Sequence, residues 1–477
     1  MTHRPDGLAD LEFREMSGIS RLTLIVILFS LLAPSASAQT TMPSSDVILE
    51  WNQVMLDANA ADSRLLIADQ PGPTGTSRAF AIVSVAMFDA WNSIFHKYNP
   101  YLTELNGYHS ANLSAAVSTA ARDTLVALYP QQAATFRTAY TRTMLNVPAG
   151  TPRTKGIDLG KKVALAILAN RSNDNSKMTV PYIASTDPGN HQPDPLHPGQ
   201  GFHGPHWGFV TPFAITDVHS HLAAPPPSLD SFEYAVAYQA LANFGGEEGQ
   251  YPTLRGPKET ITGIFWAYDG TPGLGTPPRL YNQIVRVIAA RKNNSVEANA
   301  RLFALINIAM ADAGIQCWYS KYHYNLWRPV VGIRNAANDT NEFTIGNPAW
   351  RPMGAPATNG AGDGVNFTPP FPAYPSGHST FGAAAFGVTS LFYGTSEIRF
   401  SFTSDEYNGV NRGSDGKKRP VVTRTYNNLE DATYENAFSR IYLGIHWPFD
   451  ATEGMINGKT VAKEVYSGIL RPKAPVR

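Results

Sequence analysis

The chain has 477 residues, 43% of them hydrophobic and 16% charged, a balance that suits a large globular protein able to bury a sizeable core. Its 38 basic and 38 acidic residues cancel, which excludes the strongly basic balance of a nucleic-acid or anionic-membrane partner. The single cysteine, Cys317, excludes an internal disulfide and reads as a small buried apolar residue.

Residues 1–38 read as a targeting segment. Arg21 precedes the apolar run LTLIVILFSLLA, and Ala36-Ser37-Ala38 offers a small-residue cleavage site before Gln39. Export to the periplasm or beyond the cell is therefore expected, so the protein should be periplasmic or secreted. No later stretch reaches about 18 uninterrupted apolar residues, so no membrane span is expected in the mature protein.

Apolar periodicity predicts five helices in the next part of the chain, over 44–60, 77–98, 113–129, 131–145 and 155–171, the first capped by Ser44 or Ser45. The pattern then fails from 173 to 227, a Pro/Gly/Asp-rich stretch holding His191, His197, His203, His206, His219 and His221. These are half of the 12 histidines in the chain. Their spacings match no zinc template, and the stretch reads as a long ordered loop over a pocket mouth, packed down by WGFVTPF at 207–213. Helical patterns resume at 228–244, 260–268, 279–292 and 296–327, the last with a bend expected near Gly314. A Pro/Gly-rich connection covers 335–372, and an irregular insertion covers roughly 397–427. It precedes a final pair of helices around 435–444 and 448–470. The expected organisation is an N-terminal helical half, 39–270, and a C-terminal half, 271–477, that carries the chemistry. The expected fold is all-α, with ten to twelve helices in two packed bundles.

Three pieces of the C-terminal half define that chemistry: KYHYNLWRP (321–329), YPSGHSTFG (374–382) and SRIYLGIHWPFD (439–450). Lys321 and Arg328 lie about 10 Å apart if they share one helix face. Ser376 can cap a helix whose first amides, at Ser376, Gly377 and His378, face an anion. Gly444 and Pro448 stop one helix and start the next, which places His446 at the corner after Arg440. Lys321, Arg328 and Arg440, two histidines and a Ser-Gly pair describe a pocket for a multiply charged oxyanion.

These motifs, K-x6-RP, PSGH and SR-x5-H-x3-D, resemble the signature of the vanadium-dependent haloperoxidases and the type 2 phosphatidic acid phosphatase superfamily. FWAYDGTPGLGTPPRLYNQIVR (265–286) and ADAGIQCWYSK (311–321) resemble the fungal chloroperoxidase branch. The resemblance implies paired helical bundles of the chloroperoxidase and acid phosphatase type. It also implies an orthovanadate, V(V), cofactor, with His446 as the metal ligand and Lys321, Arg328, Ser376, Gly377, His378 and Arg440 around the oxyanion. His378 would be the acid-base group, and Lys321 would polarise bound peroxide. Hydrogen peroxide and a halide would be the substrates and hypohalous acid the product. Phe371 and Trp318 match that branch's pocket wall, Asp450 is placed to orient His446, and Asp269 to pair with Arg440. Two other readings share the pocket. One is a secreted acid phosphatase with His446 as nucleophile. The other is an oxyanion-binding protein that has no need of His378.

Overall fold

The computed structural model describes residues 46–249, 253–360 and 364–474, so the targeting segment at 1–38 lies outside the described residues. Residues 43–477 form one compact unit. Thirteen α-helices are present among the described residues. The first five are α1 (Val47–Asp62), α2 (Gly72–Phe95), α3 (Leu113–Leu128), α4 (Ala133–Leu145) and α5 (Thr151–Asn170). They are followed by α6 (Phe232–Phe244), α7 (Pro257–Phe265), α8 (Pro277–Arg291), α9 (Val296–Tyr324) and α10 (Pro329–Arg334). The last three are α11 (Gly377–Tyr393), α12 (Leu429–Tyr442) and α13 (Pro448–Gly468). The first helix is capped by Asp46, not by a serine: its carboxylate accepts the amides of Ile48 (2.8 Å) and Leu49 (3.1 Å).

Helix α9 is the centre of the fold. A helix apolar on every side has no solvent face and must be surrounded, and α9 packs against α2 on one side and against α11 and α13 on the other. It alone among the described helices is long and apolar enough to cross a bilayer, yet 94% of its most apolar stretch is buried inside the protein. It runs without a break through Gly314. The missing side chain at Gly314 admits the Phe381 ring, which a Cβ would meet at 2.8 Å. Helices α11 and α13 approach closely for the same reason: a Cβ on Gly458 would lie 2.3 Å from the Thr380 carbonyl oxygen.

The stretch at 397–427 is not irregular. It forms an antiparallel hairpin of β1 (Phe400–Asn408) and β2 (Val421–Tyr426). Phe402, Ser404 and Glu406 point inward, while the Ser401–Thr425 and Thr403–Thr423 hydroxyl pairs line the solvent side.

The 173–227 stretch is an ordered strap stitched across the ends of α9 and α10. Asp312 on α9 accepts the amides of Phe213, Ala214 and Ile215 at 2.6–2.9 Å. His191 N–H donates to the Asn325 carbonyl and Trp327 N–H to that of Gly189, both at 2.8 Å. The strap's own Trp207 is buried.

Candidate active site

All three motifs meet at one end of the C-terminal helices. Lys321 lies in the last turn of α9, which Asn325 ends in a left-handed cap. Arg328 does not continue that helix. The proline after it holds Arg328 extended (φ −75°, ψ 154°) as the N-cap of α10, and the turn brings its guanidinium back toward the α9 end. Gly444, at φ +72°, ends the α12 segment that carries Arg440, and Trp447 caps α13, so His446 occupies the corner between them.

The two histidines have fixed tautomers. His446 Nδ1–H donates to Asp450 Oδ2 at 2.8 Å, which leaves Nε2 as the lone-pair nitrogen, and this accepts a hydrogen bond from Arg328 Nη1 at 3.0 Å. His378 Nε2–H donates to the Ala267 carbonyl at 2.6 Å, so its basic nitrogen is Nδ1. Burial pushes both imidazoles well below their usual range, and the surrounding cations push them further, Arg440 first for His378 and Arg328 first for His446.

The cations differ in what they still have to give. Arg328 donates to the carbonyls of Phe371 and Ile445, both at 2.8 Å, but its Nη2 has no partner among the described residues. Arg440 forks Nη2 onto both oxygens of Asp269, at 2.7 and 2.9 Å, and leaves Nε and Nη1 unpartnered. Ser376 Oγ, buried at the α11 N-terminus, is unpartnered as well. Lys321 departs from this pattern: its ammonium donates to the carbonyls of Pro372 (2.8 Å), Ala373 (3.0 Å) and Pro375 (2.5 Å). Burial pulls its pKa down to about 7. The Ser376 amide is also occupied, by the Asp450 carbonyl at 2.9 Å. The first bond of α11 is Thr380 N–H to Ser376 O, which leaves the amides of Gly377 and His378 at the open helix end.

A cavity of about 230 Å³ opens onto this cluster, lined by Asp269, Gly377, His378, Arg440 and His446 at its polar end. Trp318 and Phe371 form its wall, with ring centroids 4.8 Å apart. The Arg328 guanidinium lies 4.8 Å from the Phe371 centroid and the Lys321 ammonium 5.2 Å, so that ring meets both cations. The cavity is also lined by residues that carry no site assignment in the sequence, among them His203 on the strap, Gly72 and Pro73 at the start of α2, and Phe367, Pro369 and Pro370 ahead of α11. These residues lie far apart in the chain, and only the tertiary fold brings them to the cavity.

Four buried donor atoms on Arg328, Arg440 and Ser376 without acceptors among the described residues, beside a neutral imidazole with its lone pair on Nε2, fit a tetrahedral oxyanion that also accepts a nitrogen ligand. The fold and the site together define a helical protein built around a buried oxyanion pocket. Residues 301–472 match the family model described as the VCPO second helical-bundle domain. The vanadium chloroperoxidase of Curvularia inaequalis is 32% identical over an alignment covering 89% of this chain and 82% of that protein. Among solved structures, a bacterial vanadium-dependent iodoperoxidase superposes with a TM-score of 0.69 at 24% identity, covering 90% of this chain and 97% of that one. A holo-type bacterial vanadium-dependent chloroperoxidase superposes at 0.67 with 14% identity, covering 88% and 96%. The chain belongs to the vanadium-dependent haloperoxidase family.

Proposed function

We propose that this protein is a vanadium-dependent haloperoxidase, using hydrogen peroxide to oxidise halide to hypohalous acid with orthovanadate as its cofactor. The observation that carries this reading is the set of unpartnered buried donors on Arg328, Arg440 and Ser376 around the Nε2 lone pair of His446, in a chain of this family. When bound, vanadate would supply a Lewis-acidic V(V) centre that activates peroxide toward halide without changing oxidation state.

The protein's own part is electrostatic and protonic. His446 offers the nitrogen ligand, and Asp450 keeps its Nδ1 protonated so that the lone pair stays on Nε2. Arg328 Nη2, Arg440 Nε and Nη1, Ser376 Oγ and the Gly377 amide would hold the anion's oxygens in a buried site, where such bonds are strong. Lys321 brings positive charge and fixes the 372–375 segment, and it would be able to polarise peroxide if one of its protons left a carbonyl for the anion. His378 is the acid-base group. Neutral and with Nδ1 free of a proton, it takes a proton from peroxide and returns one to the departing water. Burial depresses this imidazole most, and a bound anion would offset only the share that Arg440, Arg328 and Lys321 add.

The test uses metal-free protein with hydrogen peroxide, halide and monochlorodimedone. Halogenation that requires added vanadate is expected. Phosphate-ester hydrolysis that vanadate only inhibits, with no peroxide-dependent halogenation, would instead support the phosphatase reading with His446 as nucleophile.

We also propose that the protein acts outside the cytoplasm, on the strength of Arg21, the apolar run 22–33 and Ala36-Ser37-Ala38. Mass spectrometry of the exported protein is expected to find Gln39 at its N-terminus.

A further inference from the structure

The β1–β2 hairpin holds a turn that touches both halves of the catalytic machinery. Residues 267–269 follow α7, and they present the Ala267 carbonyl to His378 Nε2–H and the Asp269 carboxylate to Arg440. These two groups can face different partners because Tyr268, between them, sits in the left-handed region at φ +46°. A tyrosine is strained there and stays only where its surroundings hold it.

The hairpin supplies that hold at both ends of the residue. Glu406 Oε1 accepts the Tyr268 N–H at 3.3 Å. The Tyr268 hydroxyl accepts the Asp405 N–H at 2.8 Å and donates to Gln283 Oε1 at 3.0 Å, while Gln283 Nε2 returns to Asp405 Oδ2 at 3.0 Å. Ser404 Oγ donates to the Phe265 carbonyl at 2.7 Å, tying down the end of α7. Glu406 is itself anchored by Thr358 Oγ1 at 2.6 Å and Arg419 Nη1 at 2.5 Å. Tyr268 and Glu406 are both fully buried. An inward strand face that served only to cover the bundle would carry apolar residues, since burying a serine and a glutamate costs stability unless their bonds are needed.

We propose that Tyr268 and Glu406 are positioning residues for catalysis. Through them the hairpin clamps the 267–269 turn, and the turn sets the orientation of His378 and Arg440. The inference rests on the vanadate reading of the site, and the two fail differently.

The experiment measures vanadate affinity of the metal-free protein by equilibrium dialysis, and halide oxidation at saturating vanadate, with thermal melting as a check on folding. Tyr268→Phe keeps the ring and deletes both hydroxyl contacts. It is expected to weaken vanadate binding and to slow turnover at saturation by about tenfold each, the usual effect of losing an orienting partner. Thr423→Ala, on the solvent side of the same hairpin, is expected to stay within about twofold of wild type on both, as surface changes usually do. Glu406→Gln retains an acceptor for the Tyr268 amide but not the ion pair with Arg419, and is expected to lose about threefold. Tyr268→Phe within that same margin of wild type on both measures overturns the inference while wild-type vanadate binding stands. If Tyr268→Phe does not fold, unchanged vanadate affinity in Glu406→Gln overturns it instead. Wild-type protein that binds no vanadate would remove the reading beneath it, and the inference with it.

Discussion

Asp450 holds His446 by two routes at once. Its Oδ2 accepts the imidazole Nδ1–H at 2.8 Å and the Trp447 amide at 3.0 Å, so one carboxylate oxygen sets both the tautomer of His446 and the start of α13. Asp450→Asn keeps an acceptor for the amide but weakens the charge-assisted bond to the ring. Vanadate affinity is expected to fall by about 10- to 100-fold while the protein stays folded. His446→Ala should abolish tight binding altogether. Vanadium retained in full after dialysis of that variant would refute the ligand assignment.

His378→Ala separates chemistry from binding. The arginines and His446 remain, so vanadate stays bound, whereas halide oxidation falls by about two to four powers of ten, the usual worth of a positioned acid-base group. Near-normal turnover at saturating vanadate would show that His378 handles no essential proton.

Arg328→Ala should damage affinity and stability together. Its guanidinium satisfies the buried carbonyl of Ile445 and the partly buried one of Phe371, and a buried carbonyl left unpaired costs about 1–3 kcal/mol. A lower melting temperature and weaker vanadate binding are both expected. Loss of affinity with an unchanged melting temperature would mean that other donors take over those carbonyls.

His191 gives the protein an acid-sensitive point on the strap. It is 1% exposed with both ring nitrogens unpartnered among the described residues. Burial, then Arg328 and Lys321, hold its pKa down to about 3. The unfolded chain takes up this proton below about pH 6.5 and the folded chain does not. Its contribution to stability is therefore fully present above that pH and is lost as pH falls toward 3, by about 1.4 kcal/mol per unit. His191→Phe removes this contribution and two unsatisfied nitrogens. Denaturant unfolding at about pH 7 and pH 5 should show a pH slope smaller by about one proton in the variant, with equal or greater stability at the higher pH. Identical slopes would contradict the buried neutral state.

Much of the site is legible in the sequence because the chemistry demands rare residues at fixed spacings. Arg328, Ser376, Arg440 and His446 stand where the motifs put them, and the pairings of Asp450 with His446 and Asp269 with Arg440 are present. What escapes a sequence reading depends on contacts distant in the chain. Of the three carbonyls that hold Lys321, those of Pro372 and Ala373 belong to a segment with no pattern of its own, and that of Pro375 is a backbone contact that the PSGH motif does not announce. The apolar pattern of α9 runs on through Leu326 and Trp327, yet the helix stops at Tyr324 because Asn325 turns left-handed. Those two side chains are buried in the smaller core around Trp447, so their apolar character reports that packing and not a continued helix. The hairpin does leave a signal: Phe400, Phe402, Ser404 and Glu406 alternate with outward residues at period 2. Its polar inward positions and the turn-rich stretch between the strands mask that alternation.

The burial of α9 on all sides bears on how this pocket can be inherited. Trp318 and Lys321 sit near one end of the helix, while Phe303, Leu305 and Met310 lie buried within it, and the helix packs along α2 from the opposite half of the chain. A fragment limited to the matched segment, 301–472, would lay that flank bare to water. The catalytic end is therefore expected to draw part of its stability from α2. Gene fusions and recombination events that preserve activity should carry α2 along with the motifs, and breakpoints between the two should be selected against.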